Sequence, residues 1–393
     1  MLTPRTQANG MLGCWRSLAL PLGLLYSITG VVNSQAGTRL SEMWAVGLDT
    51  TLVSPQSLVV TASCQIWILD RRTAVHRADC ARREVLHVGR SGQGPGEYSA
   101  PWAMGLHHKD SIVVWDRNLR RATVFSTHGE VAKSVRVNLD PNREGQVSGL
   151  VIEGNAALVW TDNYPAGIPR PDEQRSFVWH IDLNTGVKDS LLSTEGPRSI
   201  IIRDGRTSSR INAPFSPRPW VLFLASGDFV LFSTGNDTAR QYTRSGVEVG
   251  RFALGLPELR IDAADRRRFI ESSREAYFGE LAQQQYGPDL RDFFAHRWDE
   301  LQDKMVFPAS HPLFEQALAS DDAQFWILRS TRGESRDRTW NRYSLSGRPA
   351  PAVLVPHRGD VLAAAVRQGV LFTVESDAKR ARFWLVAYSR AEP

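Results

Sequence analysis

Short apolar segments recur through this chain at a regular interval, and this repeat constrains the fold more than any other feature. The first three segments each end in an aspartate, and Asp70, Asp116 and Asp162 are spaced 46 residues apart. A period of about 45 residues made of short β-type segments is typical of propeller blades with four strands each. Six such segments occur, at residues 66–70, 112–116, 158–162, 229–233, 325–328 and 370–374. The sequence therefore predicts an all-β fold, a six-bladed β-propeller of four-stranded antiparallel blades.

Hairpins around these segments supply the outer strands of each blade. In the second copy, residues 121–126 and 131–137 are β-type segments joined by a turn that contains Gly129. The fourth copy repeats this plan, with Gly246 in the corresponding turn. Glycine supplies the positive φ angle that a tight hairpin requires. Near the N-terminus, we expect residues 43–48 to pair with the last blade and close the ring.

Two intervals are longer than the repeat. Proline-rich and polar stretches, residues 163–171 and 194–219, add loops between the third and fourth blades. Residues 257–306, between the fourth and fifth blades, have the apolar spacing of two amphipathic helices. Asp262 can cap the first of these helices, and the second covers residues 290–305. The predicted fold therefore includes a two-helix insert between blades 4 and 5.

The strand order of a blade predicts where this insert emerges. In four antiparallel strands, the turn between the second and third strands lies at the same end as the connection to the next blade. Asp70, Asp116 and Asp162 end their second strands, so we expect them on the face that carries the insert. We hypothesise that this is the functional face and that the helices partly cover the mouth of the central channel.

The N-terminal residues have the pattern of a secretory signal. Arg16 precedes an apolar run over residues 18–32, and small residues follow this run. The run is short for a membrane span, which needs about 20 apolar residues, and Pro21 interrupts it. We therefore predict a signal peptide at residues 1–36, cleaved after Ala36.

Cleavage leaves residues 37–393 as an exported propeller without a membrane span, in the periplasm or outside the cell. Met1 and Met11 are alternative starts of the chain. The chain has 47 Lys and Arg residues against 42 Asp and Glu residues, a net charge of +5, and no long basic block. This near balance argues against nucleic acid as a partner. We expect a monomer that binds a small molecule or another protein.

The connector between the first two blades carries a family resemblance. Residues 92–98 read GQGPGEY, residues 114–129 form a VWD…RR…VF…G blade, and the insert ends in Phe307-Pro308. In these motifs the chain resembles the exported bacterial six-bladed β-propeller family related to NHL-repeat and TolB-like propellers. The resemblance covers most of the chain after residue 36 and implies the fold. It implies no agreed activity, so no catalytic residue is carried over.

The repeated aspartates are the strongest candidates for a binding site. Carboxylates from successive blades that converge on one face can bind Ca²⁺, so Asp70, Asp116 and Asp162 could form such a site. An aspartate at the end of a strand also commonly accepts hydrogen bonds from its own turn, and both interpretations stay open. Later blades hold Arg329 and Glu375 here, so the carboxylates form no complete ring. We expect no cofactor, with Ca²⁺ as the alternative.

Glu97, in the glycine-rich connector, is a further candidate at the channel mouth. The connector lacks the Lys-Ser/Thr pair of a phosphate-binding loop, is followed by a strand, and contains Pro95, which has no N–H to donate. We interpret it as a structural connection. His107 and His108 are adjacent in a predicted strand or its turn, where alternating side chains would point to opposite faces, so we do not expect them to bind one metal ion.

Cys64 and Cys80 are the cysteines that remain after cleavage of the signal peptide. If residues 66–70 and 73–78 form a hairpin, the two cysteines lie opposite each other at a distance that suits a disulfide. An oxidising compartment favours this bond. The sequence therefore favours a Cys64–Cys80 disulfide, with two buried thiols as the alternative.

The chain has no His-Glu-x-x-His motif and no Gly-x-Ser-x-Gly motif. The leading interpretation is a non-catalytic binding or interaction module that engages its ligand or protein partner on the insert-bearing face. The alternative is a divalent-metal-dependent hydrolase or lyase of the lactonase kind. Its active site would lie at the channel mouth, with Asp116 and Asp162 among the metal ligands.

Overall fold

The computed structural model describes residues 38–48, 52, 54–70, 74–81, 84–108, 110–139, 144–163, 175–204, 207–224, 226–278, 297–331, 336–377 and 382–390. The chain divides into two compact units. Among the described residues, the larger unit comprises those within 38–198, 215–263 and 307–390, and the smaller unit those within 199–214 and 264–306. The predicted signal peptide lies outside the described residues.

In the larger unit, the N-terminal strands are β1 (Thr38–Gly47), β2 (Pro55–Val60), β3 (Gln65–Asp70), β4 (Ala74–Asp79), β5 (Val85–Val88), β6 (Arg90–Ser91) and β7 (Glu97–Tyr98). Strands β2 to β5 form a four-stranded antiparallel meander in chain order. Strands β6 and β7 form a short parallel pair inside the glycine-rich connector. The connector therefore forms a loop whose two ends run side by side in the same direction before the next meander begins.

The next strands are β8 (Pro101–His107), β9 (Ser111–Asp116), β10 (Arg121–Phe125), β11 (Val131–Arg136), β12 (Gln146–Glu153), β13 (Ala156–Asn163), β14 (Arg175–Asp182) and β15 (Lys188–Glu195). They form one sheet in the order β11-β10-β9-β8-β12-β13-β14-β15. This sheet consists of two antiparallel meanders, whose first strands pair in parallel where Leu106 meets Glu153.

The smaller unit contains a hairpin and helical segments: β16 (Ser199–Asp204), β17 (Thr207–Asn212) and α1 (Ala263–Phe278). Helix α1 begins directly after Asp262, as predicted, and residues 297–303 are also helical. Residues 290–296 of the second predicted helix lie outside the described residues. The hairpin corrects the prediction of a loop across residues 194–219. Three consecutive β-branched isoleucines, residues 200–202, favour the first strand despite its polar surroundings.

The remaining strands, again in the larger unit, are β18 (Pro219–Phe223), β19 (Phe229–Ser233), β20 (Asn236–Tyr242), β21 (Glu248–Ala253), β22 (Phe314–Ala319), β23 (Gln324–Arg329), β24 (Asp337–Ser344), β25 (Pro349–Pro356), β26 (Asp360–Arg367), β27 (Val370–Asp377) and β28 (Arg382–Arg390). Strands β18 to β21 form a four-stranded meander. The others form a sheet in the order β22-β23-β24-β25-β1-β28-β27-β26. Strand β1 pairs antiparallel with β28, as predicted, and also in parallel with β25.

The second strand of each meander is the most deeply buried. Strands β3 and β9 are buried from their second residue to their last, and β19 and β23 are nearly as buried. The fourth strands β11 and β21 instead alternate between exposed and half-buried side chains. A strand with two buried faces has a continuous apolar sequence. The repeat in the sequence therefore marks the second strands.

Glycines in the turns between third and fourth strands bring neighbouring meanders close together. Gly129 and Gly246 have φ angles of 87° and 84°, as predicted. An added Cβ would lie 3.2 Å from the Val88 side chain at Gly129 and 3.0 Å from the carbonyl oxygen of Leu191 at Gly246. Similar approaches occur for Gly186 against Arg136 and for Gly347 against Phe252. Each turn thus packs on the fourth strand of the preceding meander.

A disulfide joins Cys64 and Cys80, whose Cα atoms are 5.7 Å apart. Gln65 and Asp79 are the adjacent paired residues of β3 and β4, so the cysteines extend this hairpin by one pair. The Cys80 N–H also donates to the Cys64 carbonyl at 3.2 Å. Within the described part of the chain, no helix has the length and hydropathy needed to cross a membrane.

Candidate functional site

The repeated aspartates are buried and accept hydrogen bonds from backbone N–H groups. Asp70 accepts from the N–H of Ser54 at 2.9 Å, just before β2 begins. One carboxylate oxygen of Asp116 accepts from Ser99 at 2.6 Å, just before β8, and the other from Leu119 at 2.9 Å. An aspartate at the end of a second strand therefore holds the segment that enters the first strand of the same meander. The bond to Leu119 is the turn contact that the sequence left open.

Asp162 and Glu375 occupy related positions in other meanders. Asp162 is buried and accepts a hydrogen bond from the hydroxyl of Ser176 on the neighbouring strand. Glu375 is fully buried, and its Oε2 accepts from the N–H of Arg358 at 2.6 Å, just before β26. Glu375 therefore holds the start of a first strand as Asp70 and Asp116 do. The acceptors lie in separate meanders and are not gathered into one site.

Glu375 is also the centre of a buried hydrogen-bond network. Its Oε1 lies 2.6 Å from His357 Nδ1 and accepts from the hydroxyls of Thr373 at 2.6 Å and Tyr388 at 2.9 Å. Trp340 Nε1 donates to His357 Nε2 at 3.1 Å. Because Nε2 is the acceptor, His357 carries its proton on Nδ1 and donates it to Glu375. The network joins β24, β27 and β28.

The protonation of this network follows from its contacts. Burial alone would raise the pKa of the Glu375 carboxyl, but the interactions with His357, Thr373 and the Arg358 N–H outweigh burial and lower it. Burial also raises the pKa of the Tyr388 phenol. Glu375 is therefore an ionised carboxylate and Tyr388 a neutral donor.

Glu97 shapes the glycine-rich connector. Its carboxylate accepts from Arg90 Nε and from the Gly94 N–H, both at 2.7 Å. These contacts, first the Gly94 N–H and then Arg90, lower the pKa of Glu97. Arg121 donates to the carbonyl oxygens of Gln93, Gly94 and Glu97 at 2.7–3.0 Å. The carboxylate and the backbone carbonyl oxygen of Glu97 therefore both support the conformation of the connector.

A β-bulge interrupts the first strand in five of the described meanders, in each case near its start. We call the extra residues of these strands the bulge residues: Gln56, Trp102, Ser148, Glu315 and Leu362. All five are at least partly exposed. Pro55 pairs with Asp70 and Pro101 with Asp116, so these bulges lie at the end where the second strands finish. Bulges redirect side chains and are frequent beside functional sites.

The bulge residues differ in chemistry, although the positions around them repeat. They provide an amide, an indole, a hydroxyl, a carboxylate and an aliphatic side chain. The Arg117 guanidinium lies over the Trp102 ring at 4.8 Å, and Arg338 donates to Glu315 at 2.5 Å. This set was not recognisable in the sequence, because one extra residue in a strand leaves no motif in the repeat.

An open cleft of about 640 Å³ lies at the other end of the strands. Its lining includes His180, Asp189, Ser190, Asp228, Arg244 and Ser245. These residues lie in or beside the turns between first and second and between third and fourth strands. Arg244 Nε donates to His180 Nε2 at 3.3 Å. Burial, followed by the charge of Arg244, lowers the pKa of His180, which is therefore neutral near pH 7.

His107 and His108 contact each other, with ring centroids 4.3 Å apart. The prediction that they point to opposite faces was wrong, because His108 has a φ angle of 60° and follows the last residue of β8. The ring nitrogens of His107 contact Ser111 and Asn155. Across the described ranges, no group of three or more His, Cys, Asp or Glu side chains is placed to hold a metal ion.

No protein-family profile and no curated protein matches this chain. Its likeness is to solved structures. A member of the DUF4221 family from Bacteroides vulgatus superposes with a TM-score of 0.53 and 10% identity, over 91% of this chain and 99% of that one. The fold is of the β-propeller type.

Two further propeller structures show weaker similarity. An exported protein from Bacteroides fragilis has a TM-score of 0.49 and 10% identity, over 92% of this chain and 97% of that one. The calcium-binding protein regucalcin from Agrobacterium tumefaciens has a TM-score of 0.45 and 12% identity, over 88% and 94%. These two similarities carry no argument about the fold or the function of this chain.

Proposed function

We propose that this chain is an exported, monomeric, six-bladed β-propeller that binds a small molecule or a protein partner at the bulge residues without catalysing a reaction. The observation that carries this proposal is the contrast between repeated and varied positions. The second-strand carboxylates and the turn glycines recur because the blades need them. The bulge residues are partly exposed and share no chemistry. Variation at one place in a repeating scaffold is expected where a specific ligand is recognised.

The six-bladed arrangement is supported by the strand pairing. Six four-stranded meanders can be assigned: β2–β5, β8–β11, β12–β15, β18–β21, β22–β25, and β26–β28 completed by β1. Their first strands contact one another in a cycle that passes from β2 through β8, β12, β18, β22 and β26 back to β2. Such a cycle is expected when blades surround a common axis.

Export is supported by two features of the chain. Residues 1–36 have the pattern of a signal peptide, and Cys64 and Cys80 form a disulfide, which is stable in an oxidising compartment. We propose that the mature protein, residues 37–393, lies in the periplasm or outside the cell.

The contacts of Asp116 favour binding over the metal-dependent alternative. Both of its carboxylate oxygens already accept backbone N–H groups. A Ca²⁺ ion at this position would share the carboxylate with the N–H groups that hold the start of β8 and the following turn. The carboxylate is therefore better suited to holding the blade than to catalysis.

A thermal-shift screen of residues 37–393 against sugars, lactones, small peptides and divalent ions tests the proposal. Trp102→Ala and Ser148→Arg alter two bulge residues, and Arg244→Ala alters the cleft at the other end. A compound that stabilises the wild type and Arg244→Ala, but neither bulge variant, supports binding at the bulge residues. Loss of the shift in Arg244→Ala alone would move the site to the cleft. Stabilisation by Ca²⁺ that a chelator reverses would overturn the proposal.

A further inference from the structure

The second strand of one meander, β23, ends in a positively charged residue instead of a carboxylate. Asp70 pairs with Pro55, and Asp116 with Pro101, at the start of their meanders. In the meander β22–β25, the residue that pairs with Phe314 in this way is Arg329. A guanidinium therefore occupies the position at which other meanders place a carboxylate that accepts N–H groups. Arg329 has no acceptor atom and cannot hold the first strand in the same manner.

Arg329 has no anionic partner among the described residues. Its side chain is half-buried, and its Nε atom is buried without a hydrogen-bond acceptor. Burial lowers the pKa of the guanidinium, while the nearby Tyr343 phenol acts in the opposite direction. An arginine still remains charged under these conditions. A partly buried cation without a counter-charge destabilises the fold, so its presence needs another reason.

The acidic residues close to Arg329 in this meander are already paired with other arginines. Glu315, a bulge residue, accepts from Arg338 at 2.5 Å. Asp337 accepts two hydrogen bonds from Arg39, at 2.8 and 2.9 Å. Within the described part of the chain, these pairs leave Arg329 without a compensating carboxylate at the end of the strands that carries the bulge residues.

We propose that Arg329 binds an oxyanion, the carboxylate or phosphate group of the ligand recognised at the bulge residues. The inference rests on the proposed function, which it extends by naming the charge of the ligand. A guanidinium presents two parallel N–H donors that match the two oxygens of either group. The bound anion would supply the counter-charge that the described residues do not give Arg329, which accounts for the arginine at this position.

The test compares residues 37–393 of the wild type with Arg329→Met and with Arg348→Met. Arg348 is exposed in a turn at the other end of the same meander, so its replacement makes the same charge change. Binding of inorganic phosphate and of acetate is measured by calorimetry and thermal shift at matched ionic strength. We expect Arg329→Met to lower the affinity for the anion by about 10- to 100-fold and Arg348→Met to leave the affinity unchanged. The comparison of phosphate with acetate identifies the preferred group.

A second measurement separates a binding role from a structural one. Without added anion, Arg329→Met should melt at a higher temperature than the wild type, because it removes an unpaired charge. A lower melting temperature, or anion binding equal in the wild type and Arg329→Met, would overturn the inference. If a ligand binds in a way that requires Trp102, but neither phosphate nor acetate binds, only this inference is contradicted. If an anion binds in a way that requires Arg329 but not Trp102, only the proposed function at the bulge residues is contradicted.

Discussion

Trp340 donates a hydrogen bond to His357 across 3.1 Å, and this contact determines which nitrogen of the imidazole faces Glu375. Trp340 lies in β24 and Glu375 lies in β27. Strand β1 lies between their two meanders in the sheet. Both side chains and the imidazole between them are buried. The network therefore connects two meanders, which also pair with opposite edges of β1.

Removal of the central carboxylate should destabilise this closure. We expect Glu375→Gln to lower the free energy of unfolding by about 3 kcal/mol, because the amide cannot accept all the donors that surround it. Urea denaturation followed by tryptophan fluorescence measures the change. Glu42→Gln, which alters a more exposed ion pair with Arg358, is the control and should cost under about 1 kcal/mol. Equal losses of unfolding free energy in the two variants would show that the buried Glu375 network stabilises the fold no more than the exposed ion pair does.

The stabilisation by Glu375 should depend on pH in a defined direction. Its folded-state pKa lies below the ordinary value of 4.5. Its contribution is therefore complete above pH 4.5 and is lost as the pH falls through the folded-state value. The difference in unfolding free energy between the wild type and Glu375→Gln should shrink in that acidic range. A difference that stays constant through it would contradict an ionised Glu375.

The disulfide should stabilise the first meander. Its cysteines are 16 residues apart, and closure of a loop of this size contributes about 3 kcal/mol. Cys64→Ser with Cys80→Ser should lower the unfolding free energy by about that amount, and a reducing agent should have the same effect on the wild type. A thiol titration of residues 37–393, unfolded and unreduced, should find no free thiol, and two free thiols would refute the bond.

Asp116 should behave as a structural acceptor. Asp116→Ala leaves the N–H groups of Ser99 and Leu119 without their acceptor, so we expect a loss of about 2 kcal/mol. Asp189→Ala, in an exposed position, should change stability by less than about 0.5 kcal/mol. Differential scanning calorimetry with and without Ca²⁺ measures both variants. A Ca²⁺-dependent shift that Asp116→Ala abolishes would instead identify a metal ligand.

Alanine substitutions at two glycines distinguish the cost of backbone strain from the cost of lost packing between meanders. Gly227 and Gly347 have φ angles of 85° and 79°, but an added Cβ meets nothing within 4 Å at Gly227 and lies 2.1 Å from the Phe252 ring at Gly347. We expect Gly227→Ala to cost about 1 kcal/mol from backbone strain and Gly347→Ala about 3 kcal/mol, because packing adds to it. Equal losses in chemical denaturation would mean that the turn does not pack tightly on β21.

The sequence was informative wherever a structural requirement is local. The second strands are recognisable because two buried faces require a continuous apolar run, as in β3 and β9. Gly129 and Gly246 are recognisable because their turns require a positive φ angle. The register of one hairpin was enough to place Cys64 opposite Cys80.

The tertiary structure decided which side chains are available for function. Asp116 looked like a possible metal ligand in the sequence, but its partner Ser99 precedes β8 and could be identified only after the strands had paired. The bulge residues depend on a pairing register, and Glu375 depends on donors from β27, β28 and the segment between β25 and β26. The chain by itself therefore determined the repeating elements, because each is encoded in a few adjacent residues. The fold determined the site, because hydrogen bonding and burial there depend on residues far apart in the sequence.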